Sequence, residues 1–412
     1  MALGEKKFDV VVVGGGPGGV CAAAAAARSG SRVLLIERYG FLGGMATAGL
    51  VNPFMPYRMR NRILASRVFL ELITRLERAG ALARDRRIFD DEIMKEVLDQ
   101  MMARHGVEVL LHSLLTGVQR KGKRIESVTT HGKSGKMTIR GRAFVDSTGD
   151  GDLAFMAGEE TETGRAQDGK CQPMTLCFRV GGIRGSLNSF KLGDELTPSY
   201  LRAKKRGEVR NPREDVLIFG TMVPHVYHFN TTRIINLPGT DTVALTRAEI
   251  EGRRQVMEMV RFFRKRSPRF RDAYLIKMAC QIGIRETRRV MGGYVLSGED
   301  VLRGAKFPDG IARSNYPLDI HNPAGTGTII KGVPKGDYYE VPFRCLVPRR
   351  TENLLIGSRC ISSTHEAHSS FRVMPVVAGI GEAAGAAAAQ MASRGIPNHR
   401  VDGTALKRKI LG

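Results

Sequence analysis

The sequence predicts an α/β fold in which a three-layer domain with a parallel sheet and a β-meander is interrupted by an inserted α+β domain. A β-α-β unit with a glycine-rich turn opens the chain at residues 8–37, and such units build parallel sheets. A strand followed by an alanine- and glycine-rich helix returns to the same style at 353–392. The stretch between them has loops, short strands and a long basic helix. We therefore assign 1–159 and 341–412 to the first domain and 160–340 to the insert.

The opening turn has the residues of a dinucleotide site. Gly14, Gly16 and Gly19 have the spacing G-x-G-x-x-G, and Glu37 ends the second strand. Gly14 permits a tight turn, Gly16 lets a pyrophosphate approach the backbone, and Gly19 lets the helix lie close to the sheet. Glu37 can accept hydrogen bonds from a ribose diol and would repel a 2′-phosphate, which favours FAD or NAD over NADP. An ordinary β-turn-α junction is the alternative.

Composition excludes several classes of function. The net charge is +23, but lysine and arginine are spread along the chain without interleaved aromatic residues, so we do not expect nucleic-acid binding. The six cysteines lack metal-ligand spacing, and no metal site is predicted. Glycine or charge interrupts the longest apolar stretches, so no membrane span is predicted. The N-terminus leads almost directly into the first strand, which predicts a cytoplasmic protein.

The rest of the first domain follows the α/β pattern. A glycine-rich loop comes after Glu37, and apolar periodicity predicts amphipathic helices over 61–80 and 90–104, with Asp90 as an N-cap. Short β-type runs over 107–145 predict a strand and an antiparallel meander that returns to the main sheet. The return strand ends in a Gly/Asp turn, at the sheet edge where ligands bind in α/β folds.

Charge and small residues mark two later segments. Dense charge at 285–289 predicts either an ion-pair network or an anion site, and both interpretations stay open. The alanine- and glycine-rich segment 375–392 predicts a helix pressed against a sheet or a cofactor. Its N-terminal end, near 376–379, would direct its dipole at an electron-rich cofactor atom; a plain packing role is the alternative.

Five motifs in this order carry a resemblance to a known family: VVVGGGPGGVCAA, ERYGFLGGMATAG, VDSTGDGDLA, GIRETRRVMGGYVLSGEDV and NLLIGSRCISSTHEAHSSFRVMPVVAGIGEAAGAAA. Over nearly its whole length the chain resembles FAD-dependent oxidoreductases, whose relatives include the flavin subunit of heterodisulfide reductase. It is more distantly similar to the fumarate reductase and glutathione reductase superfamily. The resemblance implies a Rossmann-like FAD-binding domain that holds FAD in an extended form.

The resemblance also implies a set of cofactor-binding residues. The pyrophosphate would be held by Gly14, Gly16, Gly18 and Gly19, and the adenosine ribose by Glu37 and Arg38. Beside the flavin end would lie Gly43, Gly44 and Met45. The turn that closes over the cofactor would contain Asp146, Thr148, Gly149 and Asp150, and the ribityl and isoalloxazine side would be lined by Gly357, Arg359, Gly379 and Ala383.

The chain departs from parts of the family pattern. The loop after Glu37 reads FLGGMATAG and contains no cysteine, so a redox disulfide beside the flavin is not expected. Cysteines for iron–sulfur clusters are missing, and so is a second G-x-G-x-x-G for NAD(P)H. These departures leave the flavin as the expected redox group.

The predicted activity is two-electron oxidation or reduction of a small organic substrate, by hydride transfer to or from FAD, of the dehydrogenase or oxidase type. Arg285 and Arg372 are candidates to clamp a carboxylate or to stabilise negative charge on the flavin. His365 and His368 are candidates to take the substrate proton. The alternatives are a flavin monooxygenase, an electron-transfer subunit that docks a partner protein, and a tRNA-modifying flavoenzyme.

Overall fold

The structure, a computed structural model, describes residues 7–60, 62–185 and 188–411. Its strands are β1 Lys7–Val13, β2 Val33–Ile36, β3 Arg58–Met59, β4 Arg62–Ile63, β5 Glu108–Leu110, β6 Leu114–Lys121, β7 Arg124–Gly132, β8 Gly135–Asp146, β9 Thr161–Thr163, β10 Phe178–Gly181, β11 Ile218–Gly220, β12 Tyr227–Phe229, β13 Tyr274–Met278, β14 Arg288–Val290, β15 Gly310–Ser314, β16 Leu318–His321, β17 Thr328–Lys331, β18 Tyr339–Pro342 and β19 Leu354–Ile356.

The helices lie between these strands along the chain, singly or in pairs, and the last one follows the final strand and two other helices. They are α1 Pro17–Arg28, α2 Arg67–Arg78, α3 Asp91–Arg104, α4 Asp152–Met156, α5 Ser189–Lys205, α6 Thr242–Arg266, α7 Gly298–Leu302, α8 His365–Phe371, α9 Met374–Arg394 and α10 Gly403–Leu411, with short 3-10 turns at Gly44–Ala46, Pro268–Phe270, Phe343–Leu346 and Asn398–Arg400.

The main sheet confirms the predicted parallel architecture and its meander. Its parallel strands lie in the order β5-β2-β1-β8-β19, with Val10 opposite Val33 and Ile356 opposite Asp146. The first half of β8 pairs antiparallel with β7, which pairs with β6. The central strands are nearly continuous runs of buried apolar residues, as expected for a sheet covered on both faces.

The predicted helices of the first domain are confirmed, but the first of the two, α2, begins later than predicted. Asp90 caps α3 by accepting from the N–H groups of Glu92 and Ile93. Helix α2 begins at Arg67 rather than at residue 61, because Ser66 is its N-cap and residues 62–63 belong to β4. Residue 61 itself lies outside the described residues.

Helices α1 and α9 pack against each other at backbone distance. A Cβ atom placed on Gly381 would collide with the carbonyl oxygen of Gly18, and one on Gly385 would collide with that of Ala22. The small residues at both ends of the chain therefore serve one contact, which joins the N-terminal β-α unit to the C-terminal helix. This contact brings the two terminal segments to the same edge of the sheet.

A second core lies in the insert. Strands β11, β12, β10 and β13 form an antiparallel sheet, and its core includes Phe178, Phe229 and Phe263. Apart from Leu50, that core takes its buried residues from 174–284, whereas residues 290–346 contribute to the first core. The second core is thus narrower than the predicted insert of 160–340, because the chain after β14 returns to pack beside the main sheet.

In the described part of the chain, no single helix is both long and apolar enough to cross a membrane. The pair α8 and α9 meets the length and hydropathy criteria only when taken together across a 97° bend.

We expect Gly385→Ala to lower the free energy of unfolding. In an exposed helix this change stabilises by about 1 kcal/mol, but here the added methyl meets a backbone carbonyl, and overpacking of this kind costs about 1–3 kcal/mol. Urea unfolding measures the difference. Gly332→Ala is the control, since a Cβ there has no heavy atom within 4 Å. Equal stability of the two variants would contradict the close contact.

Candidate functional site

A groove runs along the carboxyl ends of the parallel strands. Gly14 follows β1, Glu37 follows β2 and Ser147 follows β8, and all three line the groove. Ligands of open α/β sheets bind at this edge. The groove therefore lies where the sequence predicts the dinucleotide.

The glycines of the opening turn have different environments. Gly14 has φ of 101°, which favours glycine. Gly16 is the N-cap of α1, and a Cβ there would lie in the groove with its closest heavy atom 3.9 Å away. Gly18 also lines the groove, but its Cα faces the carbonyl of Gly357, and Gly19 packs against the carbonyl of Gly14. Gly16 thus leaves the space that a phosphate needs, and Gly19 serves helix packing.

Glu37 holds the turn to the end of β2. Its Oε2 accepts from the Gly15 N–H at 2.6 Å and its Oε1 from the Tyr39 N–H at 3.0 Å. Each oxygen keeps acceptor capacity, so contact with a ribose stays a prediction. The next residue, Arg38, donates to Oε1 of Gln281 at 2.7 Å and so joins the groove to the insert.

The Gly/Asp turn after β8 is built on Asp146. This fully buried carboxylate accepts from the N–H and hydroxyl of Thr148 and from the N–H of Ala154 at 2.7–3.0 Å. Burial raises its pKa to about 6. Asp146 fixes the turn without lining the groove, whereas Thr148, Gly149 and Asp150 line it.

The remaining predicted cofactor residues divide between the groove and the packing around it. Gly44, Met45 and Arg359 line the groove, and Arg359 donates to Oδ1 of Asp150 at 2.7 Å. The others pack behind it: Gly43 faces Thr47, Gly357 faces Val145 and Ser147, Gly379 faces Ala312 and Ser66, and Ala383 is fully buried.

Helix α9 faces the groove through its first turn. Met374 and Val377 line the groove, whereas the sequence analysis selected Gly379 and Ala383. The spacing of Met374 and Val377 is one helical turn, so the periodicity could have identified this face. Gln281 also lines the groove, and no pattern in the sequence points to it, because it arrives from the insert.

A cavity of about 390 Å³ adjoins the groove. Four residues line both: Met45, Arg359, Arg372 and Met374. The far walls come from the insert and from the segment 316–330, and they include Leu217, Phe219, Tyr316 and Ile330.

Arg372 and Arg285, the two predicted arginines, both line this cavity. Arg372 lies 3.4 Å from Oδ2 of Asp319, which also accepts from the Tyr316 hydroxyl at 2.9 Å. Burial alone would raise the pKa of Asp319, but His321 and Arg372 outweigh it and hold that pKa well below its usual range. Asp319 is therefore an ionised carboxylate that positions Arg372 and Tyr316.

His321, like Asp319 and Tyr316, lines the cavity but was not among the predicted site residues. Its Nδ1 lies 3.1 Å from the donating guanidinium of Arg233, and its Nε2 lies 3.5 Å from Asp319. Burial and the charge of Arg285 lower its pKa to about 3. His321 is consequently neutral, with Nδ1 occupied as an acceptor.

The structure corrects the two predicted catalytic histidines. His365 and His368 are buried in and beside α8 and line neither the groove nor the cavity. Nδ1 of His365 lies 2.8 Å from Glu286, which pairs with Arg289 at 2.6 Å. The sequence identifies histidines that could move a proton, but the direction of their side chains depends on how the helix packs, and this helix directs both into the core.

The charged stretch 285–289 contains the ion-pair network that is one of the two predicted arrangements. Glu286 and Arg289 form a buried ion pair, and Arg288 pairs with Asp152 at 2.9 Å. Arg285 instead faces the cavity. The stretch is thus an ion-pair network for most of its length, and an anion site at Arg285 stays a prediction.

We expect His368 to make the fold sensitive to acid. Burial, followed by the charge of Arg289, holds the pKa of His368 well below its usual range. Below about pH 6.5 the unfolded chain binds a proton that the folded chain does not, so the free energy of unfolding falls as pH is lowered. His368→Phe should lose less stability than the parent protein, by up to about 1.4 kcal/mol per pH unit below 6.5.

Chemical unfolding at a series of pH values checks this expectation. His399→Phe is the control, because His399 is exposed and its replacement should leave the slope unchanged. A His368→Phe slope equal to that of the parent protein would contradict the buried neutral state.

Solved structures superpose on nearly the whole of this chain. The flavin-dependent brominase Bmp2 superposes with a TM-score of 0.51 at 13% identity, covering 98% of this chain and 83% of its own. A geranylgeranyl bacteriochlorophyll reductase-like protein from Thermoplasma acidophilum superposes with a TM-score of 0.50 at 12% identity and the same coverage. At this identity the likeness concerns the fold. No curated protein sequence matches the chain.

The family comparison covers almost the whole sequence. The model of the FAD dependent oxidoreductase family matches residues 9–410, which include the strand-end groove and the helix contact described above. The match confirms FAD as the cofactor and the resemblance that the five motifs carry. The chain belongs to the FAD-dependent oxidoreductase family.

Proposed function

We propose that the protein carries out a two-electron oxidation or reduction of a small organic substrate bound in the cavity, as a dehydrogenase or oxidase. The carrying observation is that the cavity and the groove share Met45, Arg359, Arg372 and Met374. A substrate in the cavity would then adjoin a cofactor in the groove. A cytoplasmic location stays a prediction from the sequence.

The groove residues fit FAD. Within the described residues, the N-terminus of α1 has no side-chain cap, so its N–H groups are available to a pyrophosphate. Gly16 leaves room for that approach, and Glu37 would bind the ribose. FAD supplies the acceptor or donor of the electron pair; the protein supplies the binding groups and their orientation.

The cavity residues have distinct tasks in this proposal. Arg372 faces both the groove and the cavity and is oriented by Asp319. The Tyr316 hydroxyl is directed at the same carboxylate. His321 does not act as a base, because its Nδ1 already accepts from Arg233. The arginine supplies a fixed positive charge where negative charge develops.

Anaerobic reduction of the bound flavin tests the proposal. The purified holoprotein is mixed without oxygen with a panel of small hydroxy and amino compounds, and the visible flavin absorbance is followed. We expect at least one compound class to bleach the flavin. Three results would contradict the proposal: NAD(P)H oxidation that needs both substrate and oxygen, reduction only with a salt-sensitive partner protein, and co-purified RNA whose removal abolishes activity.

Gly16→Val should abolish FAD binding and leave the fold intact. The Cβ of a side chain at this position enters the groove, with Cα of Gly44 as its closest heavy atom at 3.9 Å, so the valine would take the space that the pyrophosphate needs. We expect a colourless protein with an unfolding temperature near that of apoprotein. Gly18→Ala is the contrast, because its methyl collides with the Gly357 carbonyl and should destabilise the fold itself. Flavin retained by Gly16→Val would contradict the groove assignment.

Arg372→Met should slow flavin reduction while FAD stays bound. Loss of a preorganised charge at the reacting centre costs about 10²–10³-fold in rate, and Arg372→Lys should restore part of it. Stopped-flow absorbance gives the rate, and the flavin-to-protein ratio gives the occupancy. The control is Arg266→Met, which removes an exposed arginine paired with Glu208. A rate equal to that of the control would remove Arg372 from the site.

A further inference from the structure

We propose that Arg285 binds the carboxylate of an organic acid whose apolar part lies along Leu217, Phe219 and Ile330. This inference rests on the proposed function, because it takes the cavity as the substrate site. It names the substrate class that the cavity selects. Three observations support it. Arg285 contacts only neutral groups, the other arginines of the cavity have carboxylate partners, and part of the cavity wall is apolar.

The partners of Arg285 are neutral groups. Its Nη1 donates to the carbonyl oxygen of Pro173 at 2.7 Å and to Oγ1 of Thr175 at 2.6 Å, and its Nη2 lies 3.5 Å from Oδ1 of Asn230. These contacts fix the guanidinium without neutralising it. Across 7–60, 62–185 and 188–411, no carboxylate forms an ion pair with it.

The charge of Arg285 persists at neutral pH. Burial and the nearby charge of Arg372 lower its pKa to about 9, which still leaves the guanidinium protonated. A partly buried cation without an ion-pair partner is costly, and a ligand carboxylate would offset this cost. The planar guanidinium is also suited to paired hydrogen bonds with a carboxylate.

The other arginines around the cavity have acidic partners. Arg213 lies 2.6 Å from Asp215, Arg359 lies 2.7 Å from Asp150, and Arg372 lies 3.4 Å from Asp319. Each of these three arginines thus has a carboxylate of the protein beside it. Arg285 is therefore the cavity arginine available to an external anion, among those that the structure describes.

Part of the cavity wall is apolar and reaches the protein surface. Leu217 and Phe219 line it together with Ile330, whose side chain is 67% exposed. Phe190, 60% exposed, packs edge-on against Phe219 with ring centroids 6.1 Å apart. A hydrocarbon chain would cover this surface and gain the free energy of burying it.

The position of Arg285 also relates the carboxylate to the cofactor. The segment 281–285 begins with Gln281 in the groove and ends with Arg285 in the cavity. Arg372 exerts the strongest charge effect on Arg285 and lines both spaces. A carboxylate on Arg285 would therefore lie near the junction of groove and cavity. Its apolar chain would be directed toward the mouth of the cavity, which is the solvent-exposed side at Ile330.

Titration with a matched acid and amide tests the proposal. Hexanoate and hexanamide are added separately to the holoprotein at constant ionic strength, and binding is read from the perturbation of the flavin spectrum and by calorimetry. We expect hexanoate to bind at least about tenfold more tightly than hexanamide. Arg285→Met should weaken hexanoate by about 30-fold or more, with hexanamide and FAD content unchanged, and Arg285→Lys should recover part of the affinity.

The apolar wall has its own variant. Ile330→Ser should weaken hexanoate while leaving acetate unchanged, because acetate does not reach the mouth. Equal binding of acid and amide, unchanged hexanoate affinity in Arg285→Met, or displacement of hexanoate by chloride at equal concentration would each overturn the proposal. If Arg285→Met does not fold, Arg285→Gln and Arg285→Lys supply the same comparison.

The two proposals fail in different ways. Arg285-dependent hexanoate binding without flavin reduction by any acid would keep the carboxylate site and overturn the redox proposal. Flavin reduction by neutral alcohols or amines that Arg285→Met leaves unchanged would keep the redox proposal and overturn the carboxylate site.

Discussion

The contact between α1 and α9 determines the position of the groove, because it joins the first and last parts of the chain. Two helices can approach at backbone distance only where both lack bulky side chains, and Gly18, Gly381 and Gly385 meet this condition. The approach joins the first and last parts of the chain beside one sheet edge. The groove is bounded by both helices as a result, with Gly16 on one side and Val377 on the other. The groove at this edge of the sheet thus follows from a packing constraint between small residues.

The cofactor side of the site could be predicted from the sequence because its determinants are local. The turn at Gly14 and Gly16, the acid at Glu37 and the turn after β8 each follow a strand, and the sheet brings strand ends together. Local reasoning failed where side-chain direction mattered. His365 and His368 are close in sequence to Arg372, yet α8 directs them into the core. Gly379 likewise lies on the correct helix but on the wrong face.

Arg285 and Arg372 were selected from the sequence and both line the cavity, but the contacts within the cavity could not be predicted, because the residues that meet there are distant in sequence. Asp319 and Arg372 meet across 53 residues, and Arg285 meets Pro173 and Thr175 across more than a hundred. No periodicity marks such pairs. The charged stretch 285–289 shows the limit well: its composition indicated ion pairs or an anion site, but only the fold separates the buried Glu286–Arg289 pair from the cavity-facing Arg285.

The two halves of the site also differ in how they manage charge. The groove relies on backbone N–H groups, a helix dipole and small residues, which any sequence with suitable glycines can provide. The cavity is lined by arginines of which all but one of those described have an acidic partner. A partly buried cation without an ion-pair partner has a desolvation cost that other protein contacts or a bound ligand must offset. The solved structures at 12–13% identity share the fold, so we propose that the specificity of this chain comes from that charge pattern, in which Arg285 is the described cavity arginine without an ion-pair partner.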